Sequence, residues 1–331
     1  MNILYTLNDK FVPQVGTCIC SVCENNKNVN DITFYVVSYG ITSDNKKKLK
    51  QLVRSYKRKI NIIELDDLKK YFDFDFDTLG WSPVIVARLL VDKLIKDDID
   101  RILYLDGDTL VVDSLEEFYK MNLKGKTLAM SIEPTVNKNR FSELNIEGYS
   151  YHNSGVLLID LKKWKKINAG EKVINYYRKH DGKLFAADQD AINGALKSEI
   201  YSVLPRYNFY NIFYIYPYKY MKKLMKPLDY FSKDEYEYCK KNPCIIHYLG
   251  EERPWRKGNT HKYRNEYIKY LSLTPWKDNE FEDGWKIYFV FWRIFNFVMK
   301  PFPRLRHKII NGLIPTFMKF RANKLKKNKE K

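Results

Sequence analysis

Two carboxylates, Asp106 and Asp108, stand on either side of Gly107 in the stretch "DRILYLDGDTLVVDSL". Like charges this close repel, and the repulsion is offset when a cation sits between them. Carboxylate oxygens suit hard divalent ions such as Mg²⁺ or Mn²⁺, and a histidine nitrogen as third ligand moves the preference toward Mn²⁺. Diphosphate oxygens complete such a site, so a nucleotide is its natural ligand. A second cluster, "HYLGEERPW", joins His247 to Gly250, which lets backbone approach a phosphate, and to Arg253, a planar cationic fork. Taken alone, His247 reads as a buried, satisfied histidine.

Other acidic patterns are weaker. "YFDFDFDTLG" places Asp73, Asp75 and Asp77 at every second position, but Thr78 and Val84 stand where a calcium loop needs Gly and Glu. The expectation there is acids in water with Phe74 and Phe76 packed beneath. A phosphatase of the haloacid-dehalogenase type reads Asp-x-Asp-x-Thr after a first strand. Here Thr109 follows Asp108 directly, a hundred residues into the chain. Arg88 is a lone charge in "PVIVARLLVDKLI", a helix opened by Ser82 and Pro83. It is expected to snorkel to solvent unless the helix end faces a phosphorylated ligand.

The elements that must position these groups alternate. "NILYTL", "ITFYVVS" and "INIIEL" read as strands, with helices over Pro13 to Glu24, Asp44 to Arg58 and Pro83 to Lys96. That alternation predicts an α/β fold around a mostly parallel sheet. "RILYL" is apolar throughout, as a central strand covered on both faces is. Ligands of open α/β sheets bind at the carboxyl ends of strands. Three predicted strands run out in polar groups, at Asn8 and Asp9, at Asp106, and at His247, so the three ends are expected to meet in one crevice. Further strands are predicted at "KTLAMSIE" and "NSGVLLIDL", and a helix at "ADQDAINGALK" capped by Asp188. "YNFYNIFYIYPYKYMKKLMKP" is expected to be irregular and to border an acceptor site.

Composition narrows the functional classes. With 331 residues, 45% hydrophobic and 15% aromatic, the chain is of globular type. Its net charge of +18 is concentrated at one end: from Lys300 onward eleven Lys or Arg face one acid, Glu330. A nucleic-acid enzyme lines its cleft with such charge, so no nucleic-acid partner is expected. A non-catalytic basic module that binds membrane or nucleic acid explains the tail but leaves the acid pair unused. Cys18, Cys20, Cys23, Cys239 and Cys244 are odd in number, and no signal peptide opens the chain, so reduced cytosolic thiols are expected. The Cys-x-Cys-x-x-Cys run lacks zinc-site spacing and lies in "PQVGTCICSVCEN", which reads as a buried helix.

"IYFVFWRIFNFVM" is too short to span a bilayer and is broken by Arg293 and Asn296. It reads as a piece that lies on a membrane, with Trp285, Phe289, Trp292 and Phe295 at the headgroup boundary. The expected organisation is a catalytic domain over residues 1–278 and a basic, aromatic helical appendage over 279–331, its short pieces divided by Pro301, Pro303 and Pro315. The protein is thus expected on the cytoplasmic face of an anionic membrane, peripherally bound.

The ordered set "LYTLND", "ARLLVDKLI", "RILYLDGDTLVVDSL", "YHNSGVLLIDLKKW", "ADQDAING" and "HYLGEERPW" resembles family 8 glycosyltransferases, in particular bacterial lipooligosaccharide and lipopolysaccharide α-galactosyl- and α-glucosyltransferases. The resemblance runs to about Trp276. It implies a GT-A fold, a UDP-sugar donor, Mn²⁺ and transfer of a hexose with retention to a saccharide acceptor, a lipid-linked glycan being the expected one. Asp106, Asp108 and His247 then look like the metal ligands. Gly107 lies between the first two.

By position, Thr6, Asn8 and Lys10 fall where the family holds uridine and ribose. Asn8 stands where Asp is commoner, and its amide still pairs with uracil or ribose. Gly250 and Arg253 fall on the diphosphate turn. Arg88, Asn153, Asp188 and Gln189 fall on the donor sugar, and Glu133 replaces an Asp that reaches it, which leaves galactose and glucose both open. The candidate catalytic groups are Gln189, Asp188, Asp190 and Arg88.

Overall fold

Period-two alternation in the first strand, β1 (Asn2–Asn8), sends Ile3, Tyr5 and Leu7 into one apolar layer and Leu4 into another. The computed structural model describes residues 1–78, 82–96, 98–225 and 231–329, with side chains described as far as Thr316. Eight further strands follow: β2 (Thr33–Tyr39), β3 (Lys59–Glu64), β4 (Arg101–Leu105), β5 (Thr109–Val111), β6 (Leu128–Ser131), β7 (Val156–Asp160), β8 (Ile200–Val203) and β9 (Ile245–His247). Seven of them form one sheet in the order β3-β2-β1-β4-β7-β6-β8, and β5 pairs with β9 separately. Every described pairing in the large sheet is parallel except the two made by β7. The mostly parallel α/β sheet expected from the alternation is therefore present, with β4 at its centre between β1 and β7.

Helices cover both faces. On one side lie α1 (Val12–Asn25), opened by Pro13, and α2 (Ser43–Ser55), whose cap Thr42 is tied by its N–H and hydroxyl to Asp9 at 2.8 and 2.9 Å. The three cysteines of α1 and the two elsewhere are buried and free. Gly16 of α1 lets Trp276 pack on the helix: a Cβ there meets the Trp276 ring at 2.2 Å. Trp276 also donates from Nε1 to Asn45 at 3.0 Å. The last residue of the family-like stretch is thus locked to the first two helices.

On the other face the predicted helix over 83–96 is instead a 3-10 helix, Pro83–Leu90, running into a short α-helix, Val91–Leu94. Arg88 takes the Ile85 carbonyl with its own Nε at 2.9 Å, removing an acceptor that an α-helical N–H would use. The DQD segment is helical as expected, α3 (Ala187–Ala195), but Asp188 does not cap it. The capping position is Ala186, whose N–H is taken by Asp190 at 2.7 Å. Asp73, Asp75 and Asp77 are exposed, while Phe72, Phe74 and Phe76 pack together.

The aromatic stretch expected to be irregular forms two short helices, Asn211–Ile215 and Tyr218–Leu224. Tyr236 donates to the carbonyls of Phe213 and Tyr216 at 2.8 Å each, satisfying acceptors at the end of the first. Lys226 and Pro227 at the end of the stretch lie outside the described residues.

The C-terminal segment is a pair of helices, α4 (Lys286–Met299) and α5 (Pro303–Lys329). Pro303 opens α5, but Pro315 lies inside it rather than ending it. Its position is exposed, where the carbonyl left without a partner is open to hydration. The pair is anchored to the rest of the chain through Arg256 over the Trp285 ring at 3.6 Å, Arg306 to Tyr216 at 3.1 Å, and Tyr220 to His307 at 2.7 Å.

The Gly16 contact makes a prediction. Gly16→Ala overpacks the Trp276 site and lowers stability by about 1–3 kcal/mol. Urea unfolding checks it; an unchanged midpoint means that Trp276 moves aside without cost.

Candidate active site

Strand β4 delivers Asp106 to the carboxyl edge of the sheet, where its N–H bonds Gly155 at 2.8 Å. The chain then turns sharply: Thr109 donates to the Asp106 carbonyl from its N–H at 3.1 Å and from its hydroxyl at 2.7 Å. The turn projects Asp108 and starts β5. Antiparallel pairing of β5 with β9 sets Thr109 opposite His247, which brings the imidazole beside the acid pair. His247 Nε2 lies 3.2 Å from Asp108 Oδ1 and 3.9 Å from Asp106 Oδ2. Gly155 is required beneath: a Cβ there meets His247 at 2.2 Å and Asp106 at 2.9 Å.

The ring is held from behind. Asn208 Oδ1 faces His247 Nδ1 at 2.8 Å, while Asn208 Nδ2 donates to Asn153 Oδ1 at 2.9 Å. Asn208 Oδ1 can only accept, so Nδ1 carries a proton, and Nε2 is the ring nitrogen turned to the carboxylates. Oδ1 of Asp106 accepts from Tyr104 at 2.7 Å and from Arg88 at 2.8 Å, which leaves Oδ2 toward His247. Donor atoms of Asp106, Asp108 and His247 lie within 4.8 Å of one another, the one such group among the described residues. Two carboxylate oxygens and one imidazole nitrogen are the donor set of a hard to borderline divalent cation, so the three residues fit a metal.

Arg88 does not snorkel. It is buried, pairs with Asp106 at 2.8 Å and Asp188 at 3.3 Å, donates to the Ser154 carbonyl at 2.8 Å, and lies 4.3 Å over the Tyr104 ring. Burial works against its charge, but Asp106 and Asp188 outweigh burial and raise its pKa. Burial pushes the Asp188 carboxyl up to about 6 despite Arg88. For Asp108 burial is the largest influence and acts upward, yet His247 and Arg253 together bring the carboxyl below its ordinary range. Arg253 Nη2 stands 3.4 Å from Asp108 Oδ2.

These groups line one cavity of ≈ 340 Å³, together with Thr6, Asn8, Gly107, Asn153, Gln189 and Gly250. The three strand ends do meet there. Gly250 has φ +72°, a left-handed conformation that glycine adopts without strain. Gln189 accepts from Ser154 N–H at 2.9 Å and donates to Tyr151 at 3.1 Å. Two buried polar atoms of the lining have no partner: Asn8 Oδ1, an acceptor, and Arg253 Nε, a donor.

Three predicted residues stand elsewhere. Lys10 is exposed on a 3-10 turn, Asp9–Phe11, outside the lining. Asp190 is fully buried and bound by Arg140, Tyr151 and the Ala186 N–H, each at 2.7 Å, so it braces the start of α3 instead of facing the cavity. Glu133 lines a neighbouring cavity and reaches this one only through Asn153, at 3.4 Å. Burial raises its carboxyl pKa. Residues missed in the sequence are Asn208, Tyr104, Ser154 and Gly155. The last two lie in the "YHNSGV" motif, which could have pointed to them, whereas Asn208 sits in no recognisable pattern.

The profile of glycosyl transferase family 8 matches residues 2–259. General stress protein A of Bacillus subtilis (strain 168) is 31% identical over 280 residues, covering 83% of this chain and 94% of that protein. Lipopolysaccharide 1,2-glucosyltransferase of Escherichia coli (strain K12) is 28% identical over 291 residues, covering 86% and 81%. Among solved structures, galactosyltransferase LgtC with donor and acceptor sugar analogs superposes with a TM-score of 0.70 at 23% identity, over 83% of this chain and 96% of that one. A sheet of this order, an Asp-x-Asp turn at its carboxyl edge and a profile match over most of the length make one statement: the chain belongs to glycosyltransferase family 8 and has the GT-A fold.

Proposed function

We propose that the protein moves galactose or glucose from a UDP-hexose to a saccharide carried on a lipid, with retention, at an anionic membrane surface. The observation that carries the donor half is the pair of unpartnered buried atoms, Asn8 Oδ1 and Arg253 Nε, in one lining with the Asp106, Asp108 and His247 cluster. A nucleoside diphosphate has what each lacks: a base or ribose donor for Asn8, anionic oxygens for Arg253, and oxygens to complete a metal's coordination between them. A basic docking module without catalysis leaves all of these groups unexplained.

Asp106, Asp108 and His247 would hold Mn²⁺, with Mg²⁺ as the substitute. When bound, the ion supplies a Lewis acid that neutralises charge on the departing diphosphate. Arg253 and the Gly250 backbone add fixed electrostatic stabilisation on the same side. Arg88 and Asp188 orient the sugar, and Thr6 and Asn8 the nucleoside. Gln189 is an amide with its carbonyl already accepting from Ser154, a poor nucleophile. The acceptor hydroxyl therefore attacks from the face that the diphosphate leaves, and its proton passes to a diphosphate oxygen. The relatives named as lipopolysaccharide 1,2-glucosyltransferase and 1,3-galactosyltransferase support a hexose donor and a glycolipid acceptor.

The membrane reading rests on the outer face of α4. Of the four aromatics expected at the headgroup boundary, Phe289 is buried, and Trp285, Trp292 and Phe295 are half-buried. Exposed instead are Ile287, Val290, Phe291, Ile294, Phe297 and Val298, one apolar stripe at helical spacing, continued by Phe302 and Leu305. A stripe of this kind flanked by Lys286, Arg293, Lys300 and Arg304 complements an anionic lipid surface. No helix among the described residues is long and apolar enough to cross a membrane.

Three outcomes are expected. Asp108→Asn abolishes transfer and weakens Mn²⁺-dependent UDP binding with an unchanged circular dichroism spectrum; full activity in excess chelator would sink the metal assignment. Gln189→Ala slows turnover by roughly 10²-fold or less, as for a group that orients, and a near-total loss would make it an obligatory nucleophile. Phe291→Asp with Phe297→Asp releases the protein from anionic vesicles in flotation, and so does high salt, because basic residues near such a surface contribute about 1 kcal/mol each and are screened. A double variant that still floats with the vesicles contradicts the membrane reading.

A further inference from the structure

Five arginines are buried among the described residues, and four of them meet a carboxylate. Arg88 pairs with Asp106 at 2.8 Å, Arg206 with Asp113 at 2.7 Å, Arg253 with Asp108 at 3.4 Å and Arg256 with Glu282 at 2.9 Å. The fifth, Arg306 of α5, is 4% exposed and has no acid within ion-pair distance. Its Nε and Nη2 donate to Asn296 Oδ1 at 3.1 and 2.9 Å, and its Nη1 donates to Tyr216 at 3.1 Å. Both partners are neutral. The rings of Tyr216, Trp292 and Phe295 stand 5.5, 5.6 and 5.9 Å from the guanidinium, contacts that favour a cation without supplying a counter-charge. A guanidinium carries more N–H donors than these bonds use. A buried charge of this kind calls for an anion beside it.

Arg306 lines a cavity of ≈ 360 Å³ between Thr260–Lys262 and the C-terminal helices, which shares no residue with the donor lining. Lys262, Arg293 and Lys300 also line it, each exposed and without an acidic partner. The acid of the lining is Glu252, whose Oε2 is taken by Asn211 at 2.7 Å. His261 adds no charge at neutral pH, because burial and then the Lys262 charge lower its pKa to about 3. Another donor stands idle: Trp292 Nε1 is buried with no partner. Pro303 lines the cavity as the first residue of α5, so the positive end of a long helix adds to the same sign. Phosphate oxygens can accept from guanidinium, ammonium and indole N–H together, whereas a neutral ligand leaves Arg306 without its counter-charge.

The place of the cavity says what the phosphate is attached to. Arg293 and Lys300 are exposed, line the cavity and also flank the apolar stripe of α4, so the cavity opens at the edge of that stripe. Ile294 follows Arg293 directly, and Phe297 lies one turn before Lys300. An anion with apolar chains fits both surfaces at once.

We propose that this cavity binds a phosphate group and that the headgroup of an anionic phospholipid supplies it, its acyl chains lying along the exposed side of α4. The proposal rests on the membrane reading above and adds a defined headgroup site to it. Attachment then depends on which anion the surface carries, not on its charge alone.

The test uses the full chain and dihexanoyl phosphatidylglycerol below its micelle concentration, with inorganic phosphate as the second probe. Binding is read from the indole ¹H–¹⁵N signal of Trp292, identified by its loss in Trp292→Phe. The wild-type signal is expected to shift saturably with both probes, at a lipid concentration about tenfold or more below that of phosphate, since only the lipid buries apolar surface. Arg306→Gln removes the shift. Because Arg306 also holds α5 to Tyr216, a second variant keeps it: Lys262→Gln with Lys300→Gln weakens the lipid by about tenfold. Lys47→Gln with Lys50→Gln, an equal loss of charge on α2, leaves the lipid affinity within about twofold. A Trp292 signal that ignores the lipid, or cavity and α2 variants that weaken it equally, overturns the site. Inorganic phosphate binding as tightly as the lipid overturns the lipid assignment. Vesicles of phosphatidylglycerol separate these failures from that of the membrane reading: a protein that binds the short lipid at Trp292 but ignores the vesicles overturns the latter.

Discussion

Asp106 and Asp108 stand one glycine apart at the end of a buried strand, and their mutual repulsion must be offset by the groups around them. Arg88 takes Asp106 from one side at 2.8 Å and Arg253 takes Asp108 from the other at 3.4 Å. Both arginines are buried, so neither charge is diluted by water. What is left facing inward is one carboxylate oxygen from each acid and Nε2 of His247. The ion pairs thus hold the acid pair open toward a common point. Arg88 in turn is neutralised by Asp188, which ties the start of α3, and with it Gln189, to the same charge network.

His247 completes that point through a separate device. The short pairing of β5 with β9 is antiparallel and lies outside the main sheet, so it is free to fold over the carboxyl edge. Behind the ring, Asn208 and Asn153 form a chain of amides leading to Glu133. That chain connects the metal-type cluster to the neighbouring cavity, and a change at Glu133 is expected to be felt at the imidazole through it.

The C-terminal helices present two unlike faces. Rings and Arg306 on the inner face pack on Tyr216 and Trp285 stacks on Arg256, contacts of the kind found inside a domain. Aliphatic and phenyl groups on the outer face are exposed among the described residues. α4 is thus buried on one side, while its other side exposes Ile287, Phe291, Ile294 and Phe297.

The sequence by itself predicted seven of the nine strands, a mostly parallel sheet and the acid turn, because period-two alternation and the Asp-Gly-Asp spacing are local properties, whereas β5, β8 and the order of the strands were not legible in it. Strand ends pointed to Asn8, Asp106, Asp108 and His247, since ligands gather there, and the resemblance to the family supplied the other lining residues among the twelve from Thr6 to Arg253. Tertiary structure alone decided the partners. Arg88 in an apolar helix reads as a snorkelling side chain until strand β4 sets Asp106 beside it. Asp188 and Asp190 differ by half a helical turn, and only the packing of Arg88 and Arg140 shows that the first faces the cavity and the second braces the helix. Phe289 and Phe291 are chemically alike, and which of them is buried is decided by how the helix that carries both is set against the rest of the chain. Asn208 carries no local signal, because its role exists only when β9 lies next to it. Such pairings join residues many tens of positions apart, and no short-range pattern encodes a contact that sheet order and register create.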